Sequence, residues 1–506
     1  MADAVAGAVD YRGRPASRAA TGGWKSSVFV MAMEIAERFA YKGVAANLIT
    51  YLTGPLGQPM ARAAASIDAW KGVSQMLPLP VACVADAWLG RYRAIVLASI
   101  LFVVSMGTLS LSSAFHIFRS GGHVAVFYVA LYLVALGEGA HKPCAQAFAA
   151  DQFDEKDPKE NVARSSFFNW WYFGMCAGTA VTTMVSSYVQ DNVGWGLGFG
   201  IPCIVILVSL AVFLIGTPSY RYYTTKEPSP VARVGKALLV LIKSWRSKHR
   251  TNPASGKVEA KNSDEDLVEE TSTFFTKQAA TLDRRIGPKF KVPPAALQTF
   301  ISVSIVAFIP VYDRLFVPLA RRYTGRPTGI TMLQRVGAGL SLSLVAVVLS
   351  ALVEMRRLGV ARDAGLVDAP KAHLPMTLWW MVPQYVLIGV SDVFAMIGLQ
   401  EFFYDQVPDA VRSLGLALFL SIFGVGHLLS SFLISVIDRA TAKRGASWFS
   451  NNLNRAHLDY FYWLLAGLCV LELVAFFFFS RAYVYKKKSD DGDYRGGDAD
   501  ADATLV

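Results

Sequence analysis

Apolar residues in this chain gather in long runs almost free of charge, not in the short alternating or 3.6-spaced stripes of a core that faces water. Ala94 to Phe115, Val193 to Tyr220 and Ser413 to Ile437 contain no Asp, Glu, Lys or Arg. Each reaches or exceeds the ~20 residues that a helix needs to cross ~30 Å of hydrocarbon. On this pattern the chain predicts spans near residues 26–52, 66–88, 93–114, 123–149, 166–189 and 194–216. A polar stretch follows from about Thr217 to Pro293, and further spans lie near 295–320, 330–355, 376–403, 410–437 and 457–483. Lipid offers no partner to a bare backbone N–H or C=O, so repeated spans imply helices that satisfy their own backbone. An all-α membrane protein is expected.

Composition sharpens the exclusions. The 506 residues would suggest about three soluble domains, but 53% are apolar, 12% aromatic and only 17% charged,. A soluble enzyme, a disordered scaffold and a disulfide-built secreted module are excluded. The 49 Lys and Arg exceed the 38 Asp and Glu, giving +11, yet the basic residues sit mostly between apolar runs. They report topology, and no nucleic-acid partner is expected. Cys83, Cys144, Cys176, Cys203 and Cys469 lie in or beside spans with no CxxC spacing, so neither a disulfide framework, a metal site nor a cofactor is indicated,. Asp10, Arg12, Arg14 and Arg18 precede the first apolar stretch without a short apolar core and cleavage site, so the first span is expected to direct insertion,.

The chain divides into a cytoplasmic N-terminus (1–25), a first half of six spans (26–216), a basic cytoplasmic linker (217–293), a second half of five spans (294–485) and a disordered cytoplasmic tail (486–506) rich in aspartate,. The N-terminus, Arg91 and Arg93, and the stretch from Thr217 to Asn262, with ten Lys or Arg against two Glu, all point to the cytoplasm,. In the second half, Arg321, Arg322 and Arg326 oppose the loop bearing Arg356, Arg357, Arg362 and Lys371. An internal repeat bears on this conflict. Span two ends in Asp86-Ala-Trp-Leu-Gly90-Arg91-Tyr-Arg93, where an acid, a Gly and an Arg close a tight cytoplasmic turn. Similar elements, Asp313-Arg314, Arg321-Arg322 and Thr324-Gly325-Arg326, follow the first visible span of the second half. In a repeat that turn follows a second helix, so one helix is missing between about Glu270 and Thr281. Ser272-Thr-Phe-Phe-Thr-Lys-Gln-Ala reads as its surviving end, leaving eleven apolar segments where twelve are expected.

Charges at bilayer depth mark candidate chemistry. Glu34, Glu37 and Arg38 stand at i, i+3 and i+4 on one face of span one,. Ionisable groups at a span centre cost roughly 2.5–3.5 kcal/mol each on insertion scales, so three together call for a protein-lined or watered interior. Glu34 and Arg38 neutralise one another at i,i+4, which leaves Glu37 beside a fixed guanidinium, suited to taking and releasing a proton. Span four carries Glu138, His141, Lys142 and Pro143. Lys142 either pairs locally with Glu138 or reaches the carboxylates of span one; His141 reads as a hydrogen-bonding residue. On the tenth span, Asp392 and Glu401 are a cavity acid or, for Glu401, a snorkelling gate residue near the cytoplasmic end. Tyr172, in an aromatic cluster with Phe167, Phe168, Trp170 and Trp171, lines a cavity or faces the interface. HExxH, Walker and nucleophile-elbow signatures are absent, and Gly196-Leu-Gly198-Phe-Gly200 reads as close helix packing,.

At these residues the chain resembles the plant nitrate transporter and peptide transporter family, part of the proton-dependent oligopeptide transporters of the major facilitator superfamily. Glu34-x-x-Glu37-Arg38-Phe39-x-Tyr41 is similar to the family's first-span signature, and Asp86 to Arg91 to the superfamily's cytoplasmic turn. Phe148-Ala-Ala-Asp151-Gln-Phe-Asp154 after Lys142-Pro143 is similar to the span-four signature, and Glu401-Phe-Phe-Tyr-Asp-Gln to the span-ten motif. The resemblance implies a major facilitator fold of two helical bundles, 26–216 and 294–485, with the seventh of twelve helices largely missing. It further implies proton-coupled symport of small solutes such as nitrate or di- and tripeptides, in the plasma or vacuolar membrane. Protons would be handled by Glu34, Glu37, Arg38 and Lys142; Tyr41, Tyr172 and Glu401 would line the substrate cavity; Asp86, Gly90 and Arg91 would form the cytoplasmic gate. Lys42 stands where many peptide carriers have a second tyrosine. The rival readings are a transport-defective isoform or a non-transporting membrane sensor or partner-binding protein and, more remotely, a membrane-embedded enzyme.

Overall fold

A computed structural model describes residues 4–84, 89–115, 122–154, 157–223, 264–286, 290–324, 330–370, 372–405, 412–442 and 447–483. Asp86 of the expected turn, most of the linker and the aspartate-rich tail lie outside the described residues. Helices dominate, but their ends depart from the hydropathy runs for local reasons. The first expected span is two helices, α1 (Gly23–Ala45) and α2 (Leu48–Thr53). Between them Asn47 leaves the helical region, and its side-chain amide donates to Asp191 Oδ1 at 2.9 Å. The second divides into α3 (Met60–Met76) and α4 (Pro78–Val84), where Pro78 supplies no donor to the backbone ladder. Then come α5 (Arg91–Phe115), α6 (Gly122–Ala150), α7 (Pro158–Asn192) and α8 (Trp195–Ile215). α7 starts eight residues before the expected 166, because Asp157 caps it by accepting from the Lys159 and Glu160 amides, with Pro158 at the first position,.

The second half contains α9 (Asp264–Thr281), α10 (Thr299–Val311), α11 (Val317–Thr324), α12 (Met332–Asp363), α13 (Val382–Asp405), α14 (Arg412–Ala442) and α15 (Leu458–Ala482). A wide π turn at Tyr312–Phe316 joins α10 to α11. α12 opens with a reciprocal capping box between Thr331 and Gln334 and runs past the expected end at 355,. Arg356, Arg357 and Arg362 therefore belong to a helix and not to a loop. Arg357 is 1% exposed and bonded to Glu354 at 2.6 and 2.7 Å, so its charge is neutralised internally and does not report topology.

Among the described residues, eight helices are both long and apolar enough to cross a membrane. α1 and α7 are 23 and 35 residues long but carry charges, as does α3 with Arg62, Asp68 and Lys71. The place of the expected missing helix is taken by the 18-residue α9. Its second half contains the apolar remnant, with Phe274, Phe275 and Ala279 buried; its first half carries Asp264, Glu265, Asp266, Glu269 and Glu270.

Among the described residues, three small sheets cap the helix ends. β1 (Ala4–Val9) is flanked by β2 (Pro15–Ser17) and β3 (Tyr222–Tyr223), both antiparallel to it, so the N-terminal segment clasps the start of the linker. At the opposite end β4 (Leu282–Asp283) runs parallel to β7 (Leu374–Thr377), and β5 (Arg285–Ile286) pairs with β6 (Phe290–Lys291).

Within the first half α5 packs on α6 and α8, and α1 on α7 and α8; within the second, α12 packs on α13 and α15. The halves meet along α3 with α14 and α7 with α10. A Cβ built on Gly72 or on Gly424 would stand 2.9 Å from the other's carbonyl oxygen. The backbones of α3 and α14 thus touch, as small residues allow in membrane helices.

Candidate functional site

Glu34, Glu37, Arg38 and Tyr41 lie on the face of α1 turned towards α6. Glu34 is 2% and Glu37 0% exposed, as are Glu138 and His141 on α6 at 0%. Three acids and a histidine from two helices thus share one interior with Arg38 and Lys142. His141 Nδ1 lies 3.7 Å from Glu34 Oε1. The Glu37 carboxyl lies against that of Glu138 and beside Arg38. Lys142 forms its ion pair with Glu138, one turn back on its own helix. Of the two partnerships open to it, the local one is the one observed. The ammonium also stands 5.5 Å above the Tyr41 ring, a cation–π distance that ties α6 to α1. Tyr41 in turn stacks on Trp70 of α3, with centroids 5.1 Å apart, and the Trp70 indole donates to Leu131 O at 2.8 Å.

The arrangement is a compact acid–base cluster whose members come from different helices. Carboxyl groups pressed together cannot all stay ionised without nearby cations, so a proton entering or leaving one redistributes the pairing of the rest. His141, read from sequence as a simple hydrogen-bonding residue, lies 3.7 Å from Glu34 across the α1–α6 contact. Its position three residues from Glu138, on the face that also bears Lys142, was the signal available.

At the end of the bundle that holds the N-terminus, Gly90 adopts φ +75° and Arg91 opens α5, donating to Asp151 Oδ2 at 2.5 Å. Arg91 thus meets Asp151 of the span-four motif. Arg18 donates to Asp154 Oδ2 at 2.6 Å and also pairs with Asp157. Helices α7 and α13 bring Tyr172 and Glu401 into the bundle, but the side chains of both lie outside the described residues.

Sequence reasoning missed two further buried groups. Arg221, 1% exposed, donates to Glu160 Oε2 at 2.6 Å and to Thr21 O at 2.8 Å. Asp68, Lys71 and His427 lie at the seam between the halves at 1%, 6% and 1% exposure. Asp68 and Lys71 were visible as charges inside an apolar run; nothing local revealed Arg221.

A sequence profile described as the POT family matches residues 92–269 and 266–449. The chain is 51% identical to Protein NRT1/PTR FAMILY 5.10 of Arabidopsis thaliana, across 95% of this chain and 96% of that relative. The chain belongs to the POT family. Protein NRT1/PTR FAMILY 5.16 of the same plant is 46% identical over 96% of this chain and 97% of its own length. Among solved POT structures, an auto-inhibited peptide transporter superposes with a TM-score of 0.72 at 20% identity, covering 93% of this chain and 99% of that one. The transporter PepTSo gives 0.71 at 19%, covering 90% and 98%. The fold is the major facilitator fold of that family, and the protein is a membrane transporter of small molecules, not an enzyme. The two POT-profile matches meet at 266–269, inside α9, just before the stretch from about Glu270 to Thr281 where the sequence pattern leads one to expect a missing helix.

Proposed function

We propose that this POT-family chain is a proton-coupled symporter working by alternating access, with its two bundles, 26–216 and 294–485, rocking about a central site. The observation that carries the reading is the buried cluster of Glu34, Glu37 and Arg38 with Glu138, His141 and Lys142. A structural pair needs one acid and one base; three acids in contact with cations from two helices make a site whose pairing depends on its protonation. Protonation of Glu37 relieves its repulsion with Glu138 and weakens its hold on Arg38, freeing α1 to shift against α6. One proton carried inward gains about 2.3 kcal/mol per 100 mV, which drives uphill uptake.

The halves are joined at the end opposite the N-terminus, where Gln298 Nε2 donates to Ala46 O at 3.2 Å and the Met60 amide to Asn451 Oδ1 at 2.8 Å. These contacts suit a carrier closed on its outer side. The substrates are small solutes such as nitrate or di- and tripeptides, consistent with the names of the relatives and with a POT transporter crystallised with a thioalcohol-conjugated peptide. Tyr41, Tyr172 and Glu401 line the cavity, and Gly90 and Arg91, with Asp86, form the cytoplasmic gate. The plasma or the vacuolar membrane is its place. Uptake of a labelled panel into proteoliposomes, with and without an inward pH gradient, tests the reading. The parent should concentrate at least one solute only with the gradient, and Glu37→Gln should abolish that dependence. Gradient-driven uptake that survives Glu37→Gln unchanged would remove the basis for the coupling mechanism.

A second reading is favoured by one feature. The acidic first half of α9 stands where the fold expects an apolar helix, which suits a transport-defective isoform or a non-transporting membrane sensor or partner-binding protein. Replacing residues 264–271 by an apolar helical stretch distinguishes them: uptake gained only by the replaced form supports this alternative.

A further inference from the structure

Basic side chains gather at the end of the molecule opposite the N-terminus, apart from the α1–α6 cluster. The β5–β6 hairpin pairs Arg285 with Lys291 as directly opposed residues. Opposed residues of an antiparallel pair send their side chains to one face, with Cβ atoms about 4.5–5.5 Å apart, and like charges placed so destabilise it. Lys291 Nζ also stands 3.1 Å from Nε2 of His373, the residue before β7. Arg284 is fixed by its Nη1, which donates to Val292 O at 3.0 Å, while its Nε is buried and makes no hydrogen bond among the described residues. Arg285, Lys291 and His373 are exposed and Arg284 is half-buried, so the group is open to solvent.

Two acids act on these four bases. Asp283 bears on Lys291 and His373, and Asp191 of α7 on Arg284. Asp191 is already shared with Lys277 of α9 and with the Asn47 amide. The field stays positive: burial and the charges of Arg284 and Arg285 hold Lys291 below the usual lysine range, and burial with Lys291 and both arginines holds His373 below the usual histidine range. Opposed cations give the hairpin no stability of their own, whereas guanidinium forks beside an ammonium are the donors that an oxyanion requires.

We propose that Arg284, Arg285, Lys291 and His373 form a binding site for a small oxyanion, such as nitrate, sulfate or a carboxylate, at the end of the protein opposite the N-terminus. The anion accepts from the ammonium and the guanidinium groups and relieves their repulsion. While His373 is neutral, the Lys291 ammonium donates to its Nε2. Once protonated, His373 is itself a donor, so a bound anion favours the charged imidazole and binding tightens as pH falls. Other charges enter that balance: Asp283 in β4, Lys277 in α9, Asp191 in the last turn of α7, and Arg362 and Asp363 at the end of α12, which packs on β7. Asp368, in the loop before His373, is paired with Arg455. Asn47, which donates to Asp191, is next to Ala46, the acceptor of Gln298 where the halves meet. In a carrier, a cationic patch there raises the local concentration of anionic solutes. That use rests on the transporter reading; the binding site does not.

Phenylglyoxal footprinting tests the site without transport. Modification of Arg285 is followed by mass spectrometry on the full chain in detergent, with Arg14, exposed in the N-terminal segment, as the internal reference. Sulfate is the probe because its charge is constant across the histidine range, and chloride holds the ionic strength. Sulfate should slow modification of Arg285 but not of Arg14, and should do so at lower concentration at about pH 6 than at about pH 8. Lys291→Gln should raise the sulfate concentration for half-protection roughly tenfold, the effect of losing one charge-assisted hydrogen bond. His373→Gln should keep the protection seen at high pH and remove its strengthening on acidification. Nanodiscs containing phosphatidylglycerol separate two sources of the same chemistry. Protection there without sulfate assigns the oxyanion to a lipid headgroup; protection that still needs sulfate assigns it to a dissolved anion. Equal protection of Arg285 and Arg14, or protection of Arg285 unchanged by Lys291→Gln, overturns the proposal. Either result stands whether or not the parent takes up solute.

Discussion

Gly22 shows how one residue can hold a whole corner of the molecule. Its φ of +77° lies in the left-handed region, and a Cβ there would stand 2.2 Å from Arg221 Nε and 2.6 Å from Gln152 O,. Gly22→Ala should therefore destabilise the protein by about 1–3 kcal/mol, combining backbone strain with a displaced guanidinium. A lowered melting midpoint in detergent would show it. The neighbouring carboxyl supplies a pH test. Burial pushes Glu160 up, but its bonds from the Arg221 guanidinium and the Asp154 amide, with the charge of Arg18, outweigh that and hold it below the usual carboxylate range. A depressed acid stabilises above its unfolded pKa and loses that contribution as pH falls through the folded one. The N-terminal clasp should thus be intact at neutral pH and loosen only as pH falls below the usual carboxylate range,. Hydrogen exchange in residues 4–17 should rise there, and Glu160→Gln should produce the same rise at neutral pH.

At the scale of elements, α9 is held by a network that the hydropathy pattern does not show. Arg357 binds Glu354 twice, Asn454 Oδ1 at 2.9 Å and Leu453 O at 2.7 Å. Gln278 of α9 donates to Glu354 at 2.7 Å and accepts from the Tyr462 hydroxyl at 3.1 Å. The network ties α9, α12 and α15 together, so the end of α9 nearer Thr281 is held in place. Arg357→Met leaves Glu354 as a buried unpaired charge and should cost about 3–5 kcal/mol. Adding Glu354→Leu should restore much of that loss. Thermal melting of the two variants, with hydrogen exchange in α9, checks the difference.

The whole molecule is two bundles joined along α3–α14 and α7–α10, with further bonds at the end away from the N-terminus. If transport needs that end to open, joining it should stop the cycle. Ala46→Cys with Gln298→Cys, at the contact where Gln298 donates to Ala46 O, should lose solute uptake on oxidation and regain it on reduction. Uptake that is unaffected by a fully formed cross-link would mean that the halves do not part there.

Much of this protein was determined by the sequence alone. The apolar runs announced a polytopic helical membrane protein, and Glu34, Glu37, Arg38, Glu138 and Lys142 stood out as charges at bilayer depth. Both rest on transfer free energies, which accumulate residue by residue along a short stretch of chain. Local geometry also settled which of them share a helix face. Tertiary structure decided what periodicity cannot carry: that Lys142 pairs along its own helix while His141 faces Glu34, that Arg357 is internal and not a loop charge, and that Arg221 is buried under the N-terminal clasp. It also decided the crossing of α3 and α14 at Gly72 and Gly424. Those partnerships depend on the rotation and register of helices far apart in the chain, set by close packing over many residues at once.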